Sequence, residues 1–64
     1  METINTTHTV RVARTERERV QGISSESSRA VRAYFESENP TARIAIACTR
    51  ADAETLTFKV AITY

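Results

Sequence analysis

Apolar and polar residues alternate with period two along three stretches of this chain, and with a helical period along a fourth. In 4–13, Ile4, Thr6, His8, Val10 and Val12 point one way, while Asn5, Thr7, Thr9, Arg11 and Ala13 point the other. β-Branched residues dominate the stretch, so it reads as a strand. In 42–49, Ala42, Ile44, Ile46 and Cys48 alternate with Arg43, Ala45, Ala47 and Thr49. In 56–64, Leu56, Phe58, Val60, Ile62 and Tyr64 alternate with Thr57, Lys59, Ala61 and Thr63, the clearest strand pattern of the three. Between the first two strands, Ser27, Ala30, Val31, Tyr34 and Phe35 recur at i, i+3, i+4, i+7 and i+8, the inward stripe of an amphipathic helix. Ser24 or Ser25 caps that helix, Glu26 suits its first turn, and Asn39 with Pro40 stops it.

The stretch 14–23 admits two readings. Thr15 and Glu18 have capping-box spacing and could open one helical turn ended by Gly22. The charged run could instead form a short edge strand at 17–21, where charges discourage pairing with another chain. Its shortness and Val20 favour the edge strand.

Parity constrains the last hairpin. Residues opposed across a pair point to one face, so paired numbers sum to an even value. A sum of 104 leaves a three-residue loop at 51–53 and sets Ile46 opposite Phe58 and Ile44 opposite Val60. The expectation is an α+β fold of order β-(β)-α-β-β in a single compact domain over 1–64. One helix packs on one face of a three- to four-stranded, mostly antiparallel sheet. The covered face holds Ile4, Val10, Val12, Ile44, Ile46, Leu56, Phe58, Val60 and Ile62.

Composition narrows the function. The chain has 64 residues, a size at which only about 60% of the unfolded surface is buried on folding. A partner or a second copy would add to a small core. A single cysteine excludes an intramolecular disulfide, the N-terminus lacks the apolar run of a signal peptide, and no stretch is long and apolar enough to span a membrane. A cytoplasmic protein with no membrane association is expected. Eight Arg and one Lys against eight acids leave a net charge of +1, which marks neither a strongly basic nucleic-acid binder nor an acidic DNA mimic.

Candidate chemistry is sparse. One His and one Cys cannot complete a four-ligand zinc site, and one glycine cannot form a phosphate-cradling loop. His8 and Cys48, both on the inward face, read as a partly buried histidine and a buried, inert thiol. No catalytic residue, metal ligand or cofactor is expected, and the chain is not read as an enzyme.

Two surfaces are candidates for partner binding. The first is the uncovered sheet face, where Ala45 and Ala61 provide short side chains and Arg11, Arg43 and Lys59 provide positive charge. It is either a solvated face, normal for an antiparallel sheet, or a flat docking surface for a protein or a second copy. A base-stacking sheet would need aromatics there, and all four aromatics are assigned inward. The second is an Arg cluster of Arg14, Arg17, Arg19, Arg29 and Arg32, expected at one end of the domain. Five guanidinium groups could hold phosphates or acidic side chains, although Glu16, Glu18 and Glu26 are interleaved and could neutralise them.

Two small families with related strand and helix order fail on single residues. Tautomerases need an N-terminal proline where this chain has Glu2, and dodecin-type flavin carriers need a tryptophan. In size and in layout, through 7–12, 25–38, 43–49 and 55–63, the whole chain resembles small phage-encoded anti-CRISPR proteins. That resemblance implies a non-catalytic inhibitor in the host-cell cytoplasm. Its partner would be a protein, a nucleic-acid-binding CRISPR effector complex whose work it blocks. The alternative is a small nucleic-acid-binding regulator acting through the Arg cluster.

Overall fold

The structure, a computed structural model, describes residues 5–64. Ile4, assigned to the covered face, lies outside the described residues. The element order is β1 (Asn5–Ala13), α1 (Glu16–Gln21), α2 (Ser25–Glu38), β2 (Arg43–Ala51) and β3 (Thr55–Thr63). The three strands form one antiparallel sheet in the order β1-β3-β2, so the most apolar strand is central and the other two are edges.

Parity holds across the whole of β1 and most of the hairpin. Val10 pairs with Phe58 and Val12 with Leu56. Leu56, Phe58, Val60 and Ile62 are buried with Val31 of α2, and Val10, Val12, Phe35, Ala42, Ile44 and Ile46 pack around them. This core face is the one the alternation assigned.

The hairpin register differs by two residues from the expected one. Ile44 pairs with Ile62, Ile46 with Val60 and Cys48 with Phe58. A bulge between Cys48 and Arg50 absorbs one residue, after which Arg50 pairs with Thr57 and Ala51 with Leu56. The turn therefore covers 52–54, closed by the Asp52 amide donating to the Thr55 carbonyl at 2.8 Å. A bulge leaves one residue unpaired, so no constant sum describes both halves of this hairpin.

The 17–21 edge strand is not formed; the segment is α1. Thr15 accepts from the Glu18 amide at 3.1 Å, and the Glu18 carboxylate accepts from the Thr15 amide at 3.0 Å. This reciprocal box satisfies two amides that a helix start would otherwise leave unbonded. Gly22 ends the helix at φ 66°, in the left-handed region, with its amide bonded to the Glu18 carbonyl. A Cβ at Gly22 would meet nothing within 4 Å, so Gly22→Ala carries only the backbone penalty. It should destabilise the domain by about 1 kcal/mol in thermal melts.

The α2 stripe is narrower than its spacing suggests. Ser27 and Val31 are buried and Phe35 is half-buried, whereas Ala30 and Tyr34 are exposed. The helix meets the sheet along its 27–31–35 line, and Ala30 and Tyr34 sit to one side of it. Two further inward assignments change. Cys48 is exposed, because it lies on edge strand β2 beside the bulge. His8 is exposed on edge strand β1, although its ring stands on the helix side, 5.6 Å from the Phe35 ring centre. Of the four aromatics, Phe58 is buried and Phe35 half-buried, while Tyr34 and Tyr64 are exposed.

Candidate functional site

The sheet face opposite α2 is built from five rows that follow directly from the pairing. Asn5, Thr63 and Arg43 make the first row, Thr7, Ala61 and Ala45 the second, and Thr9, Lys59 and Ala47 the third. Arg11, Thr57 and Arg50 make the fourth, and Ala13 and Thr55 the fifth. No residue of α2 lies on this face, since the helix packs on the other. Its edge-strand side chains are exposed, and those of β3, flanked on both sides, are mostly half-buried.

Two hollows mark this face. The larger, about 260 Å³, is floored by Ala45, Ala47 and Ala61, with Thr7 and Lys59 at its margin. Alanine methyl groups leave the backbone close to the surface, so another flat surface can approach. The smaller, about 150 Å³, is lined by Arg11, Arg50, Asp52 and Thr57.

Arg50 was not assigned to this face. Strict alternation puts an even position of β2 on the helix side, but the bulge after Cys48 reverses the parity and turns Arg50 out beside Thr57. It forms an ion pair with Asp52 at 3.2 Å, in which the Arg50 side chain is largely solvated and that of Asp52 half-buried. The strand positions of the face thus carry Arg11, Arg43, Arg50 and Lys59 and no acid. Lys59 is two rows from Arg43, a separation of roughly 13 Å along the strand, and one row from Arg11.

Of the five arginines of the second candidate surface, two share a hollow. Arg17 reaches Glu26 at 3.7 Å, and Arg17 and Arg29 line a hollow of about 240 Å³ with Ile23, Ser25 and Glu26. Arg32 donates to the Ile44 carbonyl on β2 at 3.2 Å. Arg14 is half-buried, and its Nε is buried without a hydrogen-bond partner. Arg19 is exposed in the last turn of α1. Glu18, read as one of the neutralising acids, is fully buried and bonds to Thr15 and Ser27 instead.

No protein-family model, curated protein or solved structure matches this chain. The reading of its surfaces therefore stands on their own chemistry. Among the described residues, no three His, Cys, Asp or Glu side chains converge on a point where they could hold a metal ion. No described helix is long and apolar enough to cross a membrane.

Proposed function

We propose that this chain is a non-catalytic protein-binding module whose open sheet face seats an acidic protein surface. The observation that carries the reading is the composition of that face: an alanine floor, four cations at strand positions, and no acid among them. Short side chains admit a flat partner, and Arg11 and Arg43 on the edge strands with Lys59 at the centre supply the positive charge that steers an acidic one. Nucleic acid fits less well, because base stacking needs aromatics and the two rings buried or half-buried here, Phe58 and Phe35, serve the opposite face. Size and layout support a narrower reading, an inhibitor of the phage anti-CRISPR type that occupies a CRISPR effector and blocks its nucleic-acid binding.

The test pairs purified CRISPR effector complexes with an equimolar amount of this protein and measures target-DNA binding by gel shift. One effector should lose DNA binding. The double substitution Ala45→Glu, Ala61→Glu should restore it while leaving the circular dichroism spectrum unchanged. Inhibition that survives both substitutions would move the contact away from this face. Loss of inhibition in Arg29→Glu, Arg32→Glu instead would assign it to the helix arginines. Binding to generic single-stranded DNA that falls steeply with added salt would replace the protein partner with a phosphate backbone.

A further inference from the structure

The two edges of the sheet are treated differently. On β2, a bulge interrupts the strand, and the Arg32 guanidinium occupies the Ile44 carbonyl. On β1, nine consecutive residues pair with β3 in unbroken register, and among the described residues their other edge pairs with no strand. That edge has no proline and no bulge, and Arg11 is the one residue on it with a fixed charge. Natural sheets guard such edges, since an open, regular strand is a template for another strand.

An apolar hollow of about 290 Å³ runs beside the same edge. Val10 and Val12 of β1 form one wall, and Ala30, Val31, Tyr34 and Phe35 of α2 form the other. Tyr34 is 62% exposed, one of the most exposed large apolar side chains among the described residues. We propose that β1 pairs antiparallel with β1 of a second copy, about a two-fold axis centred on Val10, to make a six-stranded sheet. In that arrangement both α2 helices lie on one side of the sheet, and the two hollows face each other across the axis. The Tyr34 rings fill the space between them.

Register and charge agree with a self-complementary contact. With Val10 opposite itself, Val12 faces the partner's His8 and Arg11 faces the partner's Thr9, so like charges never meet. A two-fold interface requires this kind of self-complementarity. The area is also sufficient. With Val10 on the axis, residues 7–13 of the two copies overlap over roughly 24 Å, and a sheet with its helix layer presents a flank roughly 20 Å high. The flank offers on the order of 500 Å² per copy, about 1,000 Å² in all, the least that a specific interface buries. This contact leaves the open face free and doubles its width across the strands, so it does not depend on the function proposed above.

Sedimentation of the full chain at micromolar concentration should give twice the chain mass, and isotope-filtered NOEs should join His8 of one protomer to Val12 of its partner. Tyr34→Glu should return the monomer with unchanged circular dichroism. His8→Lys, which places a charge on the helix side of the edge, should do the same and serves if Tyr34→Glu fails to fold. A wild-type monomer under these conditions would overturn the proposal. So would a dimer that both substitutions leave intact, or one that Ala45→Glu splits in their place.

Discussion

Phe58→Ala should unfold this domain or bring it close to unfolding, with a loss of about 3–5 kcal/mol. Phe58 is 1% exposed at the middle of the central strand, between Val10 on β1 and Cys48 on β2. Val31 closes the space above it from α2. Truncating the ring removes the largest buried side chain and leaves a cavity that the sheet cannot collapse around, because two paired strands hold β3 in place. Small domains have total stabilities at the low end of about 5–15 kcal/mol, so the loss is a large fraction of the whole. The melting temperature should fall by more than about 12 °C, since each kcal/mol shifts a domain of this size by roughly 4–8 °C. Cys48→Ala is the matched control. Cys48 occupies the same row and the same face but is exposed, so its substitution should stay within about 0.5 kcal/mol. Equal losses at both positions would show that the helix covers β2 as fully as β3, against the burial described here.

The contrast between Phe58 and Cys48 marks how far the pattern of the chain can be read. Period-two alternation assigns a face to each residue, and the faces of β1 and β3 are as it assigns them. It does not say how wide a covering helix is. One helix over three strands fully covers the central one, so edge residues such as His8 and Cys48 face inward and still meet solvent. Alternation also presumes an uninterrupted strand. The bulge in β2 has no proline or glycine to mark it, since the local sequence is Cys48-Thr49-Arg50-Ala51, and it moves Arg50 onto the candidate face. The composition of that face was otherwise legible, because Arg43 and Ala45 precede the bulge and Arg11, Lys59 and Ala61 lie on the two strands without one. In 15–21 the signal was present but competed with another. The Thr15–Glu18 spacing specifies a helix start, and six residues are too few for periodicity to settle the matter. What decides it is tertiary. Glu18 is needed beyond its own helix, and that role is invisible until α2 is placed.

Glu18 should make the stability of the domain depend on acid. Its side chain is fully buried between the starts of both helices. One oxygen accepts from the Thr15 amide at 3.0 Å and from the Ser27 hydroxyl at 2.5 Å, and the other accepts from the Ser27 amide at 2.8 Å. Ser27 is the third residue of α2, whose N-cap, Ser24, makes no side-chain bond of its own. Glu18 therefore completes the capping box of α1 and supplies the missing cap of α2, with the positive ends of two helix dipoles directed at one carboxylate. Burial alone would push its carboxyl up. The Ser27 hydroxyl, the Thr15 and Ser27 amides and the Thr15 hydroxyl outweigh that and hold it at about 2. An unfolded glutamate titrates near 4.3, so the folded state binds its proton later than the unfolded state does. The stabilisation from Glu18 is fully present above about pH 4 and is lost as pH falls from there through about 2. Glu18→Gln keeps the shape but turns an NH₂ donor toward the amide of Thr15 or Ser27, leaving buried donors face to face. The variant should melt well below wild type at pH 7. The gap between the two should narrow steadily below pH 4 and nearly close at pH 2. A gap that stays constant from pH 7 to pH 2 would mean that Glu18 holds the two helices together by packing alone, without its charge.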